Sequence, residues 1–223
     1  MRRPFSGCGG RGRERLAQAQ GIRQALRVKE MKRICVFCGS SRGGDPTFVK
    51  AAGAMGKTLA GRGLGLVYGG GNVGLMGAVA DAALSADGEV IGVIPEALEE
   101  KELAHRGVTE LRVVKSMHER KAMMADLADG FVALPGGFGT FEEFCEILTW
   151  SQLGMHRKPA GILNVAGYYD PLLAMFDRAV ESRLLSRSNR GLVLCETSPE
   201  RLLDLMAAFE PGDSEKWLDR TMS

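Results

Sequence analysis

A glycine-rich turn that runs into an acidic helix is the part of this chain best suited to chemistry. Residues 134–143 read LPGGFGTFEE and join a strand-like run ending at Leu134 to a helix-like run. A glycine turn that opens a helix presents backbone N–H groups at the positive end of the helix dipole, which binds anions and phosphate above all. Glu143 follows one turn inside the helix. The spacing therefore predicts a phosphate cradle with a carboxylate beside it, and chemistry on a phosphorylated small molecule.

The same residues also have a purely structural interpretation. Thr140 and Glu143 fit a capping box, in which a threonine and a glutamate three residues later close a helix N-terminus. On that interpretation Glu143 only ends the helix, but the preceding glycines favour the functional one. A helix N-terminus favours an ionised carboxylate, which suits a base or a stabiliser of a cation better than a proton donor.

A second motif places two cations at the start of another helix. Residues 116–121 read SMHERK, and Ser116 with Glu119 fits a capping box. Capping does not explain Arg120 and Lys121, because the helix dipole disfavours positive charge in a first turn. The pattern predicts an anionic partner nearby, and arginine suits bidentate recognition of phosphate.

Both motifs lie in a chain whose pattern predicts an α/β fold. Apolar runs alternate with helical patterns, which is typical of βαβ units and a parallel sheet with helices on both faces. We predict a Rossmann-like, doubly wound parallel sheet of about seven strands. In such sheets ligands bind beyond the carboxyl ends of the strands, where residues 39–41, 69–71 and 135–140 should meet. Strands are predicted over 33–38, 65–68, 90–94, 111–114, 130–134, 160–164 and 192–195, and helices over 46–62, 75–86, 117–128, 141–153, 171–182 and 199–209.

Residues 69–74, GGGNVG, formally fit the GxGxxG pattern of dinucleotide sites. No clear acidic residue follows the next strand to hold a ribose, Glu96 being the one candidate. A classical NAD site is therefore not expected, although a glycine turn shaping a nucleotide pocket fits the pattern.

The charge of the chain is unevenly distributed. The 223 residues carry a net charge of +2, but residues 1–30 hold eight basic and two acidic residues, a net charge of +6, so the remainder carries −4. The body is mildly acidic, and we expect no nucleic-acid partner. We expect residues 1–30 to be a basic, disordered extension, with a short amphipathic targeting helix over 13–28 as the weaker alternative. Residues 31–223 should form a single nucleotide-binding domain.

Other function classes are disfavoured by composition. No apolar run approaches the ~18–20 residues that span a bilayer, so no membrane association is expected. Five cysteines, an odd number, do not indicate a disulfide framework, and the CxxC of Cys35 and Cys38 predicts buried thiols. The three histidines lack zinc-ligand spacing. We predict a cytoplasmic protein without a metal site.

Several motifs together resemble the Lonely Guy family of phosphoribohydrolases, many of whose bacterial members are labelled lysine decarboxylases. The resemblance runs from Met31 to about Phe209. It rests on MHxRK at 117–121 and PGGxGTxxE at 135–143, supported by CGSS at 38–41, YGGGxxGLMG at 68–77, TWxQLG at 149–154 and NVxGYY at 164–169. Phe141 replaces the leucine usual after the threonine, a change we expect to be tolerated.

The resemblance implies hydrolysis of the N-glycosidic bond of a nucleoside 5′-monophosphate, either a cytokinin riboside monophosphate or AMP, to a free base and ribose 5-phosphate. The resemblance also implies a homodimer and a reaction that needs no metal or organic cofactor. The family's catalytic residues fall on Arg120 and Glu143. Its substrate contacts fall on Glu102, Arg120, Lys121, Gly136, Gly137, Phe138, Gly139, Thr140, Phe141, Glu142 and Thr149.

Two other functions are compatible with parts of the pattern. A non-catalytic nucleotide or molybdenum-cofactor carrier would share the fold, but the joint presence of Arg120 and Glu143 favours the enzyme. A pyridoxal-phosphate lysine decarboxylase is disfavoured, because no lysine lies in a persuasive Schiff-base context.

Overall fold

Seven parallel strands form one sheet in the computed structural model, which describes residues 31–99 and 104–210. The strand order is β4-β3-β2-β1-β5-β6-β7. The strands are β1 Arg33–Phe37, β2 Gly65–Tyr68, β3 Val90–Pro95, β4 Glu110–Val114, β5 Gly130–Ala133, β6 Ala160–Leu163 and β7 Val193–Glu196. This confirms the predicted doubly wound α/β fold, in which the chain reverses its direction of growth between β1 and β5.

Helices follow the strands on both faces of the sheet. They are α1 Pro46–Gly61, α2 Gly74–Leu84, α3 Glu96–Glu99, α4 Met117–Leu127, α5 Phe138–Gln152, α6 Asp170–Glu181, α7 Arg187–Arg190 and α8 Pro199–Ala207, with a 3₁₀ turn over Val165–Gly167. Within the described residues, no helix is both long enough and apolar enough to span a bilayer. The predicted extension at residues 1–30 lies outside the described residues. The division of the chain into this extension and a single domain over residues 31–223 therefore stays a prediction.

The apolar core has two parts, one on each face of the sheet. On one face Met55 of α1, Val79 of α2 and Leu203 of α8 pack against strand residues such as Ile34. On the other face, Met124 of α4 and Phe144 of α5 pack with a different set of strand residues. Because each central strand contributes side chains to both parts, its residues are apolar throughout, which explains the unbroken apolar runs in the sequence.

The helix that follows β5 differs from its prediction. It was predicted to begin at Phe141, but α5 begins at Phe138, with Gly137 as its N-cap. The short helices α3 and α7 were not predicted. Glycine has low helix propensity, so the sequence around Gly139 does not indicate the first turn of α5. Helices of four residues are too short to show a periodic apolar pattern.

Candidate active site

The loops that follow β1 and β5 meet where the strand order reverses. The N–H of Gly39, just after β1, donates to the carbonyl of Pro135, just after β5, at 3.1 Å. β1 and β5 are neighbours in the sheet, with Phe37 paired to Ala133. In doubly wound sheets, ligands bind in the crevice at this reversal.

The N-terminus of α5 lies at this crevice. Gly137 is its N-cap, and no side chain caps the helix. The N–H groups of Phe138, Gly139 and Thr140 form the first turn and therefore have no intrahelical acceptor. An added Cβ on Gly137 or Gly139 would meet nothing within 4 Å, so the backbone faces open space at both positions. These are the features of an anion-binding helix N-terminus.

The predicted capping box of Thr140 and Glu143 is wrong. Because the helix begins three residues earlier, Thr140 lies inside the first turn rather than at the N-cap, and Glu143 lies in the second turn. Glu143 is nevertheless buried, with 8% of its surface exposed. A buried carboxylate that does not cap the helix needs another explanation.

Arg120 provides that explanation. Its Nη1 lies 3.2 Å from Oε1 of Glu143, and only 8% of the arginine side chain and 10% of the glutamate side chain are exposed. The guanidinium also donates from Nε to the carbonyl of Val93 at 3.1 Å and from Nη2 to that of Gly69 at 3.3 Å. Val93 lies in the carboxyl-terminal half of β3 and Gly69 directly follows β2, so the sheet itself holds the arginine in place.

The guanidinium of Arg120 leaves no space for a side chain at Gly69. A Cβ at Gly69 would lie 2.0 Å from Nη2 of Arg120 and 3.1 Å from the sulfur of Met76. The GxGxxG-like run thus begins with a residue that makes room for a guanidinium, and the following Gly70 has φ 80°. Packing against Arg120 thus accounts for Gly69, the first glycine of the dinucleotide pattern.

The two cations of α4 have anionic partners within the protein. Ser116 accepts from the N–H of Glu119 at 3.1 Å, so the predicted cap at that helix is present. Arg120 faces Glu143, while Nζ of Lys121 lies 2.5 Å from Glu142 and 3.0 Å from Glu146 on α5. The unfavourable position of both cations near the start of α4 is therefore offset by carboxylates of α5.

Comparison with known proteins shows the family to which this chain belongs. A family model described as possible lysine decarboxylase matches residues 76–206. A probable cytokinin riboside 5′-monophosphate phosphoribohydrolase of Oryza sativa subsp. japonica is 48% identical over 187 residues, which cover 84% of this chain and 75% of that protein. A cytokinin riboside 5′-monophosphate phosphoribohydrolase of Arabidopsis thaliana is 47% identical over 184 residues, covering 82% of this chain and 85% of that protein. The chain belongs to the Lonely Guy (LOG) family.

A solved structure supports the fold of this LOG protein. The molybdenum cofactor binding protein from Rippkaea orientalis superposes with a TM-score of 0.60 over 81% of this chain and 98% of that chain, at 24% identity. At this identity the similarity concerns the fold alone.

The decarboxylase description of the family model does not suit the lysine at this site. A Schiff-base lysine must lose its proton to attack a carbonyl. Burial alone would lower the pKa of Lys121, but the hydrogen bonds that its ammonium donates to Glu142 and Glu146, together with their negative charge, outweigh burial and raise the pKa. The ammonium form is stabilised, so Lys121 does not suit the role of a Schiff-base lysine.

The remaining predicted residues are less tightly grouped. Phe138 is 93% exposed at the first turn of α5. Phe141 packs against the rings of Tyr168 and Tyr169. The hydroxyl of Thr149 donates to the carbonyl of Cys145, and Thr149 lies six residues beyond Glu143, about 9 Å along the helix. Glu102 lies outside the described residues.

Cys35 and Cys38 are buried free thiols near the ion pair. Burial first, and the charge of Glu143 second, raise the pKa of both. This agrees with the predicted buried thiols, because a raised pKa keeps a thiol protonated and unreactive.

Sequence reasoning missed two sets of groups at the site. The carbonyls of Gly69 and Val93 that hold Arg120 are backbone atoms, and no sequence pattern identifies them. Tyr168 donates from its hydroxyl to the carbonyl of Gly136 at 2.5 Å. The GYY motif was a usable signal for this tyrosine, but no role was attached to it.

Proposed function

We propose that this protein hydrolyses the N-glycosidic bond of a nucleoside 5′-monophosphate, either a cytokinin riboside monophosphate or AMP, to the free base and ribose 5-phosphate. The observation that carries the proposal is the buried pair of Arg120 and Glu143 behind an open helix N-terminus. Relatives about 47% identical carry the name of this reaction.

The 5′-phosphate binds at the cradle formed by Gly136–Thr140. Backbone N–H groups at the N-terminus of α5 complement its charge. Glu143 lies five residues beyond Phe138, about 7.5 Å along the helix axis, so a phosphate at the cradle leaves room for a ribose between the two. Phosphate binding then fixes the position of C1′, and binding energy is used to orient the reacting bond.

Glu143 acts at C1′. As the C1′–N bond breaks, its electron pair moves to the base and the ribose gains oxocarbenium character, which a carboxylate stabilises. Water adds to C1′ through its oxygen and gives one proton to Glu143. The departing base, which carries the electron pair of the broken bond, takes up one proton from solvent, and Glu143 returns its proton to solvent. A positioned base typically contributes about 10²–10⁴-fold to the rate.

Arg120 orients Glu143. Its guanidinium donates to two backbone carbonyls and faces the carboxylate, so it holds one carboxylate oxygen in place. A neighbouring guanidinium also favours the charged form of a carboxylate, which is the form a base requires. Lys121, Glu142, Phe141, Phe138 and Thr149 remain predicted substrate contacts, as does Glu102. The homodimer and the cytoplasmic location also remain predictions.

A non-catalytic carrier is the second candidate, because a cofactor-binding protein shares the fold. A carrier has no need of a carboxylate buried against an arginine behind the cradle. The enzyme is therefore the better supported of the two.

A substrate panel tests the proposal. Purine and pyrimidine nucleosides, each with and without the 5′-phosphate, would be incubated with the protein, and free base and ribose 5-phosphate measured. We expect base release from a purine monophosphate and a large loss without the phosphate. Binding of the nucleotides without release of any base would support the carrier instead.

A further inference from the structure

Three consecutive carbonyls before α5 are each held by a separate donor. The hydroxyl of Tyr169 donates to the carbonyl of Leu134 at 2.7 Å, the N–H of Gly39 donates to that of Pro135 at 3.1 Å, and the hydroxyl of Tyr168 donates to that of Gly136 at 2.5 Å. Each peptide group from the end of β5 to the N-cap of α5 is thus held by its own hydrogen bond.

Fixing a carbonyl also fixes the N–H of the next residue. In a trans peptide, the C=O of one residue and the N–H of the next point in opposite directions, and no described peptide is cis. The bond from Tyr168 to the carbonyl of Gly136 therefore directs the N–H of Gly137 away from the tyrosine. An added Cβ on Gly137 would meet nothing within 4 Å, so there is open space for an anion beside this peptide, and we assign its N–H to the cradle.

The segment that carries the two tyrosines is itself rigid. The side chain of Asn164 accepts from the N–H of Tyr169 at 2.8 Å and donates to Asp170 at 2.6 Å. Ala166, with φ 52°, and Gly167, with φ 71°, both have left-handed backbone. This conformation is unfavourable for alanine, and such residues persist only where their surroundings impose them, which is frequent near functional sites.

Aromatic packing holds Tyr168 over the turn. Its ring meets Phe48 edge-on at 5.5 Å between centroids and stacks on Phe141 at 6.5 Å. Tyr169 is 1% exposed and meets Tyr168 edge-on at 5.1 Å. Tyr168 is 37% exposed, but these ring contacts orient its hydroxyl toward the carbonyl of Gly136.

We propose that Tyr168 is a positioning residue for phosphate, whose hydroxyl aims the N–H of Gly137 by holding the carbonyl of Gly136, with Tyr169 anchoring the strand end behind it. This rests on the proposed function, because it assigns a role within the cradle that binds the 5′-phosphate.

The test compares Tyr168→Phe with Tyr68→Phe in the full chain. Both changes remove one hydroxyl and keep the ring, but the hydroxyl of Tyr68 is buried without a hydrogen-bond partner among the described residues. For each variant, kcat and KM for AMP or a cytokinin riboside monophosphate, the Kd for ribose 5-phosphate, and the Tm would be measured. Tyr168→Phe should raise KM and Kd about threefold to tenfold, the loss expected for one hydrogen bond, with a smaller change in kcat and a Tm close to that of the parent. Tyr68→Phe should leave KM and Kd unchanged.

The binding measurement separates this inference from the proposed reaction. If the parent protein binds ribose 5-phosphate but releases no base, the reaction is wrong, and a weaker Kd in Tyr168→Phe still supports the positioning role. Unchanged KM and Kd in Tyr168→Phe would overturn the inference, as would a lowered Tm with unchanged binding. A parent protein that binds neither ribose 5-phosphate nor any nucleotide would overturn it as well.

Discussion

Arg120 and Glu143 form a buried ion pair, with 3.2 Å between Nη1 and Oε1 and about a tenth of each side chain exposed. Removing one partner of such a pair leaves an uncompensated charge, which is costly, whereas the pair itself adds little stability over apolar residues. Its presence behind an open helix N-terminus is therefore better explained by chemistry than by folding.

Gly69→Ala tests the contact that holds Arg120. The added methyl would lie 2.0 Å from Nη2, so the guanidinium must shift, which disturbs its bond to the carbonyl of Gly69 and its contact with Glu143. We expect a loss of about 1–3 kcal/mol in the free energy of unfolding, together with a loss of hydrolytic activity.

Gly61→Ala is the matched control. Gly61 is the last residue of α1, and an added Cβ would meet nothing within 4 Å. This variant should be up to about 1 kcal/mol more stable than the parent, since alanine favours a helix, and equally active. Full activity in a folded Gly69→Ala variant would contradict the role given to this contact.

Lys121→Met tests the connection between α4 and α5. The lysine side chain is 11% exposed and faces both Glu142 and Glu146, so its loss leaves two carboxylates without their cation. We expect a cost of roughly 1–3 kcal/mol, between the values for surface and buried pairs. Arg178→Met is the control, because Arg178 and Glu181 are both mostly exposed and the change should cost under about 1 kcal/mol. Equal free energies of unfolding for the two variants, measured by chemical denaturation, would contradict the larger loss expected for Lys121→Met.

His156 should make stability depend on pH. Burial lowers the pKa of its imidazole from 6.5. Nε2 lies 3.0 Å from the carbonyl of Ile147 and therefore donates, while Nδ1 accepts from the N–H of Lys158 at 3.1 Å, so the ring must be neutral. The pKa of His156 is lower in the folded protein than in the unfolded chain. Its contribution to the free energy of unfolding is therefore complete above about pH 6.5, and it is lost as the pH falls through the folded pKa.

Thermal unfolding between about pH 8 and pH 5 checks this expectation. In His156→Gln, Tm should fall less steeply with acidification than in the parent. In His118→Gln, which alters an exposed histidine, the dependence should match the parent. A parent-like slope in His156→Gln would show that this ring does not titrate as described.

Much of the sheet could be predicted because its signals are local. The run Gly65–Tyr68 is predicted with the bounds that β2 has, since a short apolar run bounded by glycines is sufficient. The start of α5 could not be predicted this way, because its first turn contains Gly139 and is set by contacts with the loop after β1.

The site was only partly predictable for a different reason. The sequence indicated Arg120 and Glu143 separately, but their contact joins residues 23 positions apart and depends on the packing of α4 and α5. Likewise, nothing local indicates that Glu142 and Glu146 face Lys121, so the sequence predicts an anionic partner near this lysine without identifying these carboxylates. Long-range pairing of charges is decided by tertiary packing.

The most direct test of the account is the rate of base release by Glu143→Gln. The change keeps the size of the side chain and removes its charge, so nucleotide should still bind at the cradle while the cation at C1′ loses its stabiliser. The free base released from AMP or a cytokinin riboside monophosphate would be measured alongside Tm and the Kd for ribose 5-phosphate. The account predicts a fall in kcat of about 10²-fold or more with Kd nearly unchanged in a folded variant. Turnover close to that of the parent protein would contradict it.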